Sequence, residues 1–220
     1  MPKTAFFRTI LACSQALATL AALTLASAAE AHVAESGLAH GHQAIGSFFT
    51  GFVHPLSGLD HLAAMVSVGL WSALQASDSN QRGHGRLWSA PFAFAATLLL
   101  GALMARQGVQ MGGIEPMIAT SVLVLGLLTA TRQALPPAWG ISLVASFALF
   151  HGLAHGQELG GGHAAAALMG MVLSTMALHA AGIAAGLALR RQNRWLPRLA
   201  GASVAGFGLS LLAPAAAALF

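Results

Sequence analysis

The chain has 220 residues, 56% hydrophobic and 7% charged, where an ordinary soluble domain carries about 25% charge. With a mean hydropathy of +0.72, a soluble globular domain is excluded and a membrane protein remains. The net charge of +4 reflects ten Lys and Arg against six Asp and Glu; these bases are too dispersed to form a nucleic-acid surface.

Residues 1–31 read as a secretory signal. Lys3 and Arg8 precede the apolar run "TILACSQALATLAALTLA", and "ASA" (Ala26–Ala28) and "AEA" (Ala29–Ala31) each offer small residues at −3 and −1 for cleavage. An uncleaved first transmembrane helix is the alternative; a lipoprotein at Cys13 would leave too short an apolar run. Cys13 is the single cysteine, so cleavage removes every disulfide and thiolate metal site. Residues 32–220 are then one transmembrane domain.

A helix needs about 20 apolar residues to span a bilayer. The first candidate span runs from about Ala44 to Gln75 and is interrupted near Pro55 and Gly58. The second is Leu87–Ala105, the third Ile114–Ala130, the fourth Ala138–Gly156, the fifth His163–Leu189 and the sixth Leu196–Phe220. No alternating strand pattern occurs between them. The expected fold is all-α: a polytopic bundle of about six transmembrane helices. Small residues four apart, as in Gly182 and Gly186, let helices approach closely, and packing within one bundle suits them better than a dimer face.

Basic loops stay in the cytoplasm. Arg82, Arg86, Arg132, Arg190, Arg191, Arg194 and Arg198 fall at one set of span ends, and only Arg106 at the other. This asymmetry predicts six passes with both termini outside.

Charge inside hydrocarbon costs roughly 2.5–3.5 kcal/mol, so polar residues within spans tend to be functional. "HPLSGLDHLAAM" places His54, Asp60 and His61 in the first span. "FHGLAHGQE" places His151, His155 and Glu158 in the fourth. His151 and His155 are a turn apart on one helix face, and Glu158 can share it. Both motifs fall in the outer half of the bundle, where they can face one another. A break at Pro55 and Gly58 would free backbone carbonyls beside His54. Imidazole nitrogen suits nickel, copper, zinc and cobalt, whereas magnesium and calcium prefer all-oxygen sites. Asp60 is either a ligand or an acceptor that orients His61. A proton relay would use the same residue types.

Weaker candidates surround these motifs. His32, His40 and His42 could capture metal outside the membrane, or simply be solvated. Met65, His179 and Glu115 could form a secondary pathway, with Met169, Met171 and Met176 near His179. A lone membrane histidine commonly serves as a helix–helix hydrogen-bond donor, and Glu115 suits a helix N-terminus. There is no phosphate-binding glycine loop and no H-E-x-x-H. These absences argue against an ATPase and against an intramembrane metalloenzyme.

Both motifs, with "VGLW" after the first, resemble the signatures of the HupE/UreJ family. That resemblance covers essentially the whole chain beyond the signal. It implies a multi-pass permease of the bacterial inner membrane rather than an enzyme. It implies no permanently bound cofactor. The transported ion would be nickel, with cobalt as the alternative, and the proteins served would be hydrogenase or urease maturation factors. It makes His54, Asp60, His61, His151, His155 and Glu158 the metal-pathway residues. A metal-sensing or handover accessory protein remains a rival, and a homo-oligomer is compatible with the sequence.

Overall fold

The structure is a computed structural model describing residues 39–76, 82–159, 163–193 and 195–217. The expected signal, 1–31, and His32 lie outside the described residues. The backbone of His40 and His42 is helical, but their side chains are not among those described. The chain divides into units Met1–His40 and Gly41–Phe220, and the helical bundle is the second.

Seven helices make up the described residues: α1 (Ala39–Ser57), α2 (Leu59–Gln75), α3 (Arg82–Arg106), α4 (Ile114–Thr131), α5 (Pro137–Glu158), α6 (Ala164–Gln192) and α7 (Trp195–Ala217). Five of them, α3 to α7, are long and apolar enough to cross a membrane. The first predicted span is two helices, α1 and α2. Gly58 separates them in an extended conformation, with φ −96° and ψ 116°. Pro55 weakens the last turn of α1 because it has no N–H to donate.

The His54 carbonyl itself is not left free beside the break. Ser57 Oγ donates to the His54 carbonyl at 2.6 Å, and Leu62 N–H donates to the Gly58 carbonyl at 2.9 Å. The serine hydroxyl takes the carbonyl that the lost helical turn would have left open.

Glycines set the helix pairing. On α6, Gly182 lies against the Val66 carbonyl of α2, and Gly69 of α2 lies against the His179 carbonyl. Gly152 and Gly156 of α5 lie against Leu98 and Ala102 of α3, while Gly126 and Gly201 join α4 to α7. A Cβ at any of these would meet backbone, which cannot turn aside. Gly182 and Gly186 thus pack inside the bundle.

The direction of these pairs is informative. Val66 meets Gly182 and Leu70 meets Gly186, so α2 runs parallel to α6. Leu98 meets Gly152 and Ala102 meets Gly156, so α3 and α5 are parallel. Gly201 meets Ala130 and Gly208 meets Leu123, so α4 and α7 are antiparallel. Helices that alternate direction along the chain produce this set of relations when α1 and α2 count as one pass.

The outer surface is apolar. Phe49, Leu59, Phe92, Leu100, Leu127, Leu173, Leu199 and Leu209 are all exposed. A soluble bundle would place polar residues there; lipid accepts these. The polar side chains are instead inside: His151, His155, His179, Ser67, Ser72, Ser121, Ser174, Thr129 and Thr175 are buried.

The two ends of the bundle differ. At one, Trp71 Nε1 and Gln75 Nε2 donate to the Gln133 carbonyl of the α4–α5 loop. Arg190 there donates to the carbonyls of Ala73 and Ala76, neutralising the C-terminal dipole of α2. At the other end Arg106 donates to the Leu159 carbonyl at 2.9 Å, closing α5 where the histidine motif ends.

Candidate metal centre

The break at Gly58 positions the first motif. His54 ends α1 and His61 begins α2, and both reach toward α5. The His54 ring lies 4.8 Å from that of His155, centroid to centroid. The His61 ring lies 4.4 Å from His155 and 4.9 Å from His151. His54 Nε2 and Glu158 Oε2 are 2.7 Å apart. The two motifs, about a hundred residues apart in sequence, therefore meet.

One group has metal-site dimensions. Ligand atoms of His54, His155 and Glu158 lie within 4.8 Å of one another. This is not the His151/His155 pair that helical spacing suggests: the close set joins His155 to His54 across the helix interface. Glu158 and His54 keep side-chain exposures of 55% and 25%, whereas His155 is 1% exposed. The group thus runs from the surface to the interior within one ion's reach. Beside it lies a cavity of about 150 Å³, lined by Ser47, Thr50, Glu158, Leu159, His163 and Ala167.

Asp60 contacts His61. Its Oδ1 accepts both the His61 backbone N–H, at 2.8 Å, and His61 Nδ1–H, at 2.9 Å. A proton held on Nδ1 leaves Nε2 with the lone pair. That Nε2 is buried and unpartnered, on the ring that packs against His151 and His155.

His151 is set by a residue that sequence reasoning missed. Ser121 Oγ donates to the Ile118 carbonyl at 2.6 Å, so its oxygen accepts from His151 Nε2–H at 2.9 Å. His151 Nδ1 then carries the lone pair, and it too is buried without a partner. Ser121 stands in an apolar span with no motif around it, and only its packing on α5 marks it out.

Phe94, also unforeseen, carries the column onward. Its ring lies 5.6 Å from His151 and 5.0 Å from His179. His179 Nδ1–H donates to the Met65 carbonyl at 2.7 Å, the helix–helix bond that a lone membrane histidine commonly makes. Its Nε2 is unpartnered. Met65 touches this column through its backbone carbonyl. Met171 is buried, whereas Met169 is 59% exposed on the outer surface and stands apart from it. Glu115 is exposed in the first turn of α4, where the helix dipole favours a carboxylate. It is outside the metal-sized group.

Buried polar atoms are almost always hydrogen-bonded, and leaving one unsatisfied costs about 1–3 kcal/mol. Here unpartnered nitrogens recur on successive rings: His155 Nδ1 and Nε2, His61 Nε2, His151 Nδ1 and His179 Nε2. The donor set is imidazole and carboxylate, which suits a divalent transition metal.

Comparison with known proteins agrees with the two motifs. The family model described as HupE / UreJ protein matches residues 20–211. Protein HupE of Rhizobium leguminosarum bv. viciae is 36% identical over 201 residues, 90% of this chain and 97% of the relative. No solved structure matches the chain. The chain belongs to the HupE/UreJ family, whose members are membrane transport and accessory proteins and not enzymes.

Proposed function

We propose that the protein is a permease that carries Ni²⁺ inward across the bacterial inner membrane, for hydrogenase or urease maturation. The observation that supports this best is His155, a buried imidazole with neither nitrogen hydrogen-bonded, between two ligands that already share a proton. His54 Nε2–H donates to Glu158; a cation binding both displaces that proton. The exposed Glu158 attracts the ion, His54 and His155 replace part of its water, and His61 and His151 receive it next. His179, behind Phe94, is the deepest imidazole in the column and serves as the later waypoint.

Orientation follows from the arginines. The histidine mouth lies at the end opposite Arg190 and the Arg132 loop, so the mouth faces the periplasm and the termini lie there too. Taking α1 and α2 as one broken pass makes six passes. Asp60 acts through His61 in this reading, fixing its tautomer rather than holding the ion. Asp60→Asn keeps the acceptor oxygen but loses the charge. Its nickel affinity, measured by titration calorimetry, is expected to fall about 10–100-fold, the range for the loss of such supporting groups. An unchanged affinity removes Asp60 from the site.

The test of function is uptake of radioactive nickel into proteoliposomes, competed by cobalt, zinc and copper. Nickel uptake above empty vesicles is expected, and the competition ranks the four ions. Folded protein that binds nickel without moving it makes the chain a handover or sensing protein instead.

A further inference from the structure

The histidine column occupies the C-terminal turns of α5. A separate cavity of about 170 Å³ lies at the other end of that helix, lined by Ser72, Gln75, Ser89, Ala90, Leu135 and Gly140 among others. At roughly 10–15 Å³ per water by the same measure, it has room for several waters at once. Trp71 also lines it. The Trp71 indole is held there by its bond to the Gln133 carbonyl at 3.2 Å and admitted by Gly140, where a Cβ would come 2.6 Å from the ring.

Two elements lead from the column to this cavity. On α2, His61, Met65, Val68, Ser72 and Gln75 recur at intervals of three and four, so they share one face. That face starts at the histidine cluster and ends in the cavity. On α3, Ala90 lies one turn before Phe94, the ring packed on His151 and His179. Between the His61 and His151 rings and the cavity stand Met65, Val68 and Phe94, all fully buried, with His179 packed on Phe94.

The lining chemistry differs from that of the mouth. Ser72 is 2% exposed and its Oγ has no partner. Gln75 Nε2 is committed to the Gln133 carbonyl at 2.6 Å, which leaves the amide oxygen for the cavity. The lining residues carry no charge. Neutral oxygens bind a divalent cation weakly and leave most of its water in place, as release requires.

We propose that this cavity is the release vestibule, a second site that takes the hydrated divalent cation after it leaves the histidines, with Met65, Val68 and Phe94 as the apolar wall that separates it from His61 and His151. This rests on the permease reading above. The test uses the full chain with Cys13 replaced by serine and Ser72 by cysteine, treated with a membrane-impermeant thiol reagent in vesicles of both orientations. Modification from the arginine-rich side alone is expected, with nickel uptake falling at least tenfold and nickel binding in detergent unchanged. Ala90→Leu, which fills the cavity, is expected to do the same without chemistry. A Ser72→Cys chain that reacts from neither side, or from the mouth side alone, overturns the vestibule, as does Ala90→Leu with normal uptake. Failure of the nickel reading shows separately, as wild-type protein that neither binds nor moves nickel while the labelling pattern still maps the cavity.

Discussion

His155→Ala is expected to reduce nickel uptake to that of empty vesicles. The substitution removes the ring that touches both His54 and His61, so it takes a ligand from the mouth and cuts the column at once. The protein should still fold, because the His155 nitrogens make no hydrogen bond that the bundle relies on. Removing an unsatisfied buried imidazole is expected to raise the melting temperature or leave it unchanged, against the usual cost of emptying a core position. Activity and stability thus move in opposite directions, which separates a ligand from a packing residue. His155→Ala with wild-type uptake, or with a large loss of stability, contradicts this assignment.

Gly152→Leu is expected to yield no folded protein. A Cβ at Gly152 would press on the Leu98 carbonyl and lie 3.0 Å from Ala102 N. Both are backbone, so α3 and α5 must separate. Gly152→Ala is expected to cost about 1–3 kcal/mol, the usual range for overpacking. It should also weaken transport, because Phe94 of α3 and His151 of α5 pack on each other across this same interface. Gly206 is the control. It lies on α7, where an added Cβ would find nothing within 4 Å, so Gly206→Ala should be neutral or stabilising by up to about 1 kcal/mol. Thermal unfolding in detergent measures all three. A fully stable Gly152→Leu protein contradicts the α3–α5 packing.

Much of this architecture was legible in the sequence because lipid imposes a simple pattern. The third to sixth spans begin and end within a few residues of α4 to α7, since apolar length is what defines a membrane helix. The interruption at Gly58 was legible for a local reason, a proline followed by glycine. The meeting of the two motifs was foreseen from depth alone, by counting residues down alternating spans. Contacts across helices were less accessible. The freed carbonyl expected at His54 is occupied by Ser57 Oγ, a side-chain rotamer that periodicity does not show. Helical spacing favoured pairing His151 with His155, whereas the closest ligand set crosses from α5 to α1. Ser121 and Phe94 sit in unremarkable apolar runs, and their roles come wholly from which helix packs beside them. Met169 was grouped with His179 by sequence proximity, yet it lies on the exposed face of α6, because residues ten apart on a helix share no contact.

The glycine contacts tie fold to function. They allow backbones to touch, which brings α5 against α3 and α2 against α6. That proximity lets short imidazoles from different helices stack into one column instead of pointing at lipid. Each buried histidine would otherwise cost desolvation with no return. The structure concentrates that cost along a single line between two cavities, one at the mouth beside Glu158 and one below Phe94.

X-ray absorption spectroscopy of the nickel-loaded protein reads whether a metal ion is held between α1 and α5 by His54, His155 and Glu158. The expected spectrum shows a nitrogen and oxygen shell with imidazole scattering, which loses one imidazole in His54→Ala and one in His155→Ala. A sulfur shell, or an imidazole count unchanged in both variants, contradicts it.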